Sequence, residues 1–123
     1  MITVSPIEDK CKVQKYFKKT NIEMNDTSGC VAAKSGNEVL GFCLYELNEK
    51  GIKILYIEPK EDLLLADGIL RSTLHVAASR SAMDARYEGK ENEELFSKLS
   101  FILDKNEKKL DIDKLFRGCG CKA

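Results

Sequence analysis

From Cys30 to Pro59 the chain is written in β-type residues broken by turn clusters, and just past Pro59 the hydrophobic period changes from two to about 3.6. That change constrains the fold more than any other feature, because a strand pattern and a helix pattern expose opposite sets of side chains when exchanged. Three runs precede it. Cys30 to Lys34 halts at Ser35-Gly36-Asn37, Val39 to Leu47 halts at Asn48-Glu49-Lys50-Gly51, and Ile52 to Ile57 halts at Pro59. Turns this short between consecutive runs imply an antiparallel meander, and proline closes the last run because it has no N–H for the ladder. From Asp62 to Ala82 the chain reads as a helix whose Leu70, Leu74, Ala77, Ala78 and Ser81 share one narrow face. Small side chains there let the helix lie close against a sheet.

The remaining segments supply a strand at Ile2-Thr3-Val4 stopped by Pro6, a helix over Ile7 to Lys19, and a turn at Asn25 to Gly29. After the long helix come a short strand at Met83 to Tyr87, a helix at Glu91 to Leu99, and a strand at Phe101 to Leu103. A polar turn at Asp104 to Lys109 leads into Leu110 to Phe116, which reads equally as strand or helix. A helix joining two strands usually makes them parallel neighbours. The class expected is therefore α+β: a mixed, mainly antiparallel sheet with helices on both faces. Residues 1–116 are expected to form one domain, with residues 117–123 as a flexible Cys- and Gly-rich tail.

Charge and cysteine content narrow the function. In 123 residues Lys+Arg number 20 and Asp+Glu number 20, so neither a nucleic-acid footprint nor a basic membrane patch is expected. No stretch reaches the roughly 20 apolar residues that span a bilayer, and Glu8 and Asp9 interrupt the start where a secretory signal would be apolar, so a cytosolic protein is expected. Most of the five cysteines then read as reduced thiols: Cys30 and Cys43, among apolar neighbours, as core, and Cys119 and Cys121 as a pair too few for a structural metal site. A thiol redox role for that pair ranks last among the functions considered. His75, the only histidine, reads as a helix-surface residue.

Three strings, in order, resemble the GNAT superfamily of N-acetyltransferases. Leu55-Tyr56-Ile57-Glu58-Pro59 is similar to the strand that ends just before that family's cofactor loop. Gly68-Ile69-Leu70 is similar to the start of its cofactor-binding helix, and Leu95-Phe96-Ser97-Lys98-Leu99-Ser100-Phe101 to the end of the helix that follows. The resemblance implies acetyl transfer from acetyl-CoA to an amine. It places the acetyl-CoA along Leu55, Tyr56 and Ile57 and at the helix start near Ala66, Asp67 and Gly68, with no metal. The acceptor is a small-molecule or peptide amine, and a homodimer is an open alternative.

In such a site the pyrophosphate rests on backbone N–H groups at a helix N-terminus. Between Pro59 and Leu70 this chain has neither Arg nor Gln and one glycine, and Glu61, Asp62 and Asp67 stand near the expected phosphate position. Lys60 or Arg71 is needed to neutralise them. An acceptor amine is mostly ammonium at neutral pH and needs a base, for which Glu58 at the strand end is the candidate. The departing thiolate needs a proton donor. The family's tyrosine is here Phe96, which leaves Tyr87, or Tyr56, as the candidate acid, although both also read as ordinary strand residues. These departures keep a second reading open: a GNAT-like binding or regulatory module without acetyl transfer.

Overall fold

The computed structural model describes residues 2–117. The order is β1 (Ile2–Pro6), α1 (Lys10–Lys19), β2 (Ser28–Ser35), β3 (Glu38–Leu47), β4 (Gly51–Glu58), α2 (Leu63–Ala78), β5 (Asp84–Tyr87), α3 (Lys90–Lys98), β6 (Ile102–Asp104), β7 (Lys109–Leu110) and α4 (Lys114–Arg117). The strands form a seven-stranded sheet in the order β1-β2-β3-β4-β5-β7-β6. All neighbours are antiparallel except β4 and β5, which run parallel across the α2 connection. The mixed sheet and the crossover are those the sequence implied. The run from Leu110 resolves into a two-residue strand and a short helix, so each alternative holds for part of it. Cys119 and Cys121 lie outside the described residues.

Strand alternation sorts the core into two layers. Val31, Ala33, Cys43 and Tyr45 face α2, whose Ala66, Ile69, Leu70, Leu74 and Ala77 pack on them. The intervening Cys30, Ala32, Phe42 and Leu44 face α1 and meet Val13 and Phe17. Cys30 and Cys43 are both fully buried, and burial pushes each thiol up to about 12, which makes them inert filling rather than reactive groups. His75 is exposed on α2, as expected.

β4 breaks its own alternation, and this shapes the site. Ile54 and Ile57 both lie in the α2-side core although three residues apart, an odd spacing that a regular strand forbids. The pairing explains it: Tyr45 meets Ile54 and Leu44 meets Tyr56, so Leu55 is the extra residue of a bulge. β5 follows β4 only over Gly51 to Ile54, opposite Asp84 to Tyr87. Beyond that point β4 continues to Glu58 paired with β3 only, because β5 ends at Tyr87.

Gly51 sets where the parallel pair begins. A Cβ on it would lie 1.9 Å from the carbonyl oxygen of Asp84. Backbone cannot retreat as a side chain can, so Gly51→Ala is expected to cost about 2–3 kcal/mol, read as a lowered urea midpoint. A loss below half of that would mean that β5 shifts freely against β4.

Candidate active site

Past the end of β5 the free edge of β4 forms one side of a wedge whose apex is closed by α3. Glu88 N–H donates to Ile54 O at 3.0 Å, the last ladder-like bond. One turn into α3, Asn92 Nδ2 donates to Glu88 O at 2.7 Å and to Leu55 O at 3.1 Å, tying α3 to the bulge residue. Asn92 is 4% exposed, and its Oδ1 is buried with no hydrogen-bond partner. An unpaired buried oxygen costs about 1–3 kcal/mol, so it marks a place where a donor belongs.

At the wedge mouth three side chains converge. Tyr56 OH donates to Glu58 Oε1 at 2.8 Å. Lys60 Nζ donates to Ile57 O at 2.6 Å and stands 4.2 Å above the Tyr56 ring. In an antiparallel strand the N–H and C=O of one residue point the same way, so the Ile57 N–H also faces the wedge. On the α1 side, Tyr16, Phe42 and Tyr56 form a row of tilted rings at 4.7 and 5.7 Å that leads to Glu58. Burial, followed by the Glu58 hydrogen bond, raises Tyr56 to about 12, so its hydroxyl stays a donor to the carboxylate. Burial also lowers Lys60, against the pull of Glu91 and Glu58.

The sequence-derived site residues separate into three places. Leu55, Tyr56, Ile57 and Glu58 form the stretch of β4 that β5 does not pair with. Tyr87 does not share the wedge mouth: it is buried in the α2-side core, its ring edge-on to Phe96 at 5.8 Å and its hydroxyl donating to Glu93. Ala66, Asp67 and Gly68 lie inside α2, which starts at Leu63 rather than at Gly68. Ala66 N–H makes the first regular helical bond, to Asp62 O at 2.9 Å. The N–H groups of Asp67 and Gly68 follow it in the ladder and are not free donors.

The helix start itself is already capped. Asp62 Oδ1 accepts from Leu65 N–H at 3.1 Å, leaving Leu63 and Leu64 as the first two N–H positions. Neither cation attends them: Arg71 is paired with Asp67 at 2.8 Å, and Lys60 is turned into the wedge. Glu61 and Asp62, both exposed, remain. The dipole favours an anion there by about 0.3–1 kcal/mol. One carboxylate some 4–5 Å from a phosphate opposes it by about 3–4 kcal/mol at an effective dielectric of 20, before salt screening. The surroundings are apolar as well: Leu64 is 85% exposed, and a groove of about 600 Å³ runs past Leu64, Leu65, Pro59, Leu40 and Val4. This helix end does not fit the phosphates of coenzyme A.

No family profile matches the sequence, and no curated protein does. The fold, however, has solved counterparts. A ribosomal-protein-alanine N-acetyltransferase from Brucella melitensis biovar Abortus 2308 superposes with a TM-score of 0.60 at 10% identity, over 85% of this chain and 94% of that one. A protein assigned to the GNAT acetyltransferases from Desulfovibrio desulfuricans gives 0.57 at 10% identity, over 81% and 83%. This is the GNAT fold. The toxin AtaT, as a mutant bound to the C-terminus of the antitoxin AtaR and to acetyl-CoA, shares it with a TM-score of 0.57 at 11% identity, over 94% and 98%. No helix among the described residues is long and apolar enough to cross a membrane, and no cluster there holds the ligands for a metal.

Lys60 and Asn92 were not selected as site residues from the sequence. Lys60 entered only as a neutraliser of the helix end, because nothing before folding tells that it turns inward. Asn92 carried one signal: a polar residue at the helical position that shares a face with Leu95 and Phe96.

The two strongly shifted tyrosines make the fold alkali-sensitive. Burial first and Glu93 second raise Tyr87 from 10.0 to about 12, so the folded state holds its proton more tightly than the unfolded chain. That stabilisation is complete below pH 10 and fades as pH rises toward 12. Tyr87→Phe is expected to flatten this decline in urea titrations taken across that range. An unchanged slope would assign the decline to other groups.

Proposed function

We propose that the chain transfers an acyl group from a thioester to a primary amine, with the reacting centre in the wedge between β4 and β5. The observation that carries this reading is the Glu58 carboxylate at the wedge mouth, held by Tyr56 and beside a strand edge whose Ile57 N–H faces inward. Tyr56 occupies Oε1 and leaves Oε2 for the ammonium proton of an entering amine. Proton removal frees the nitrogen lone pair, and the Ile57 N–H is placed to stabilise negative charge developing on a thioester oxygen. The aromatic row from Tyr16 to Tyr56 is suited to guiding a cationic acceptor, since ring faces attract ammonium groups. Peptide and small-molecule amines both meet these requirements. The test is direct: release of free thiol from an acyl thioester, followed with a panel of peptide and diamine acceptors. Amine-dependent release supports transfer, and release no faster than in buffer with every acceptor removes it.

A second reading rests on Lys60. Its ammonium already occupies the Ile57 carbonyl, so the wedge is filled by the protein itself. On this reading the chain is a GNAT-fold module that binds a partner without chemistry. Neighbours of this fold include AtaT bound to a segment of AtaR, which makes a protein partner a natural occupant. Lys60→Met separates the two: it opens the wedge and raises turnover if transfer is real, and leaves thiol release at background if it is not.

A further inference from the structure

We infer that the free edge of β1, with the apolar groove on its α2 face, accepts an extended segment of a partner protein. That segment is a strand with apolar residues at alternate positions and a Lys or Arg that reaches Glu61 and Asp62. The surface is separate from the wedge, since β1 stands at the sheet edge, three strands from β4, and the inference holds under either reading of the wedge. Three observations carry it.

The first is the backbone. Ile7 N–H donates to Cys30 O at 2.8 Å, so the pairs at steps of two along the strand, Ser5 with Ala32 and Thr3 with Lys34, are the bonded ones of the β1–β2 ladder. The N–H and C=O of Ile2 and Val4 therefore point away from β2, and among the described residues no strand pairs with β1 on that side. Such an edge is a template for one more strand. The second observation is the face. Val4 sits opposite Ala33, which belongs to the α2-side core, so the side chains of Ile2 and Val4 face α2 as well. With Leu40, Pro59, Leu64 and Leu65 they line a groove of about 600 Å³. Ile2 is 54% exposed and Leu64 85%. An added strand points alternate side chains over this groove, where apolar ones cover it.

The third observation is charge, and it selects the occupant. Glu61 and Asp62 border the groove at the start of α2, and neither is in an ion pair among the described residues. Arg71 is held by Asp67 and Lys60 by Ile57 O. A second copy of this chain docking through β1 brings Ile-Thr-Val-Ser-Pro, with no cation to answer the two carboxylates. A nucleic acid brings the wrong sign. A partner strand carrying a Lys or Arg beside its apolar residues satisfies edge, groove and carboxylates together.

The experiment selects displayed random peptides on the full chain and titrates the enriched ones calorimetrically. Enriched sequences are expected to alternate apolar residues and to carry Lys or Arg. Leu64→Asp, at a side chain in solvent, is expected to weaken binding by about tenfold or more and to leave the urea midpoint unchanged. Glu61→Lys is expected to weaken the cationic peptides in the same direction. N-methylation of the peptide backbone at alternate positions supplies a readout that a merely apolar contact would not give. The set whose N–H groups face β1 is expected to lose binding, and the other set to keep it. Should Leu64→Asp fold poorly, Glu61→Lys and the methylated peptides decide the matter. Enriched peptides without alternation or without cations overturn the inference, as do equal effects of the two methylated sets, normal binding by folded Leu64→Asp, or no enrichment at all. Sedimentation of the chain alone supplies the last arm: a dimer that Leu64→Asp dissociates assigns the groove to a second copy and overturns the inference, and a monomer supports it.

Discussion

Glu58→Gln is expected to lower amine acylation by about 100- to 10,000-fold, the span that a positioned general base contributes, while KM for the amine stays within a few-fold. Glutamine has nearly the same shape and keeps an oxygen that can accept from the Tyr56 hydroxyl, now at 2.8 Å from Glu58 Oε1. Stability should therefore move by no more than about 0.5 kcal/mol. What glutamine cannot do is take a proton from an ammonium. A fall confined to kcat identifies a group needed in the transition state, whereas a fall carried by KM would make Glu58 a binding residue. Tyr56→Phe supplies the control. It leaves the carboxylate in place but unanchored, so the loss expected is smaller, about tenfold, from poorer orientation. Undiminished turnover in Glu58→Gln excludes Glu58 from the chemistry.

Much of this architecture was readable before any coordinates. The meander, the crossover helix and the β5–α3 return follow from periodicity and turn residues, and strand ends fall within a few residues of their sequence markers. The wedge was legible only in part. The run Ile52-Lys53-Ile54-Leu55-Tyr56-Ile57 shows its bulge as a slip in alternation between Ile54 and Ile57, a signal that is real but small. The register of α2 was not legible from its resemblance string. Gly68 is an ordinary marker of a loop, yet here it sits inside the helix, and beyond its chain neighbours and the helix backbone nothing lies within 4 Å of where a Cβ would stand. The start is decided upstream by Asp62, whose carboxylate outcompetes Gly68 as a terminus signal. The charge conflict at that end was visible as composition, but its outcome was not. Whether Lys60 and Arg71 would neutralise Glu61 and Asp62 depended on which way two long side chains turn, and tertiary structure alone decides that.

Phe96→Ala is expected to cost about 3–5 kcal/mol, a large share of the 5–15 kcal/mol that holds a domain together. The ring is fully buried beside Leu95 and Phe101, and it braces Tyr87 edge-on at 5.8 Å. Removing it leaves a cavity bounded by β5, α3 and β6, none of which can collapse inward. β5 is held to β4 along its whole length, and Phe101 N–H is bonded to the Phe96 carbonyl at 3.0 Å. Urea denaturation should show the loss as a lower midpoint with an unchanged m-value. Phe96→Tyr makes the complementary point. The string from Leu95 to Phe101 resembles one that carries a tyrosine here in the GNAT superfamily, yet Phe96 is fully buried, so an added hydroxyl enters a closed core and the change is expected to destabilise the fold without raising acyl transfer. A Phe96→Ala loss under 1 kcal/mol, or a gain of turnover in Phe96→Tyr, would place this ring at the site instead of behind it. With the ring behind the site, a proton for the departing thiolate must come from solvent at the wedge mouth rather than from α3.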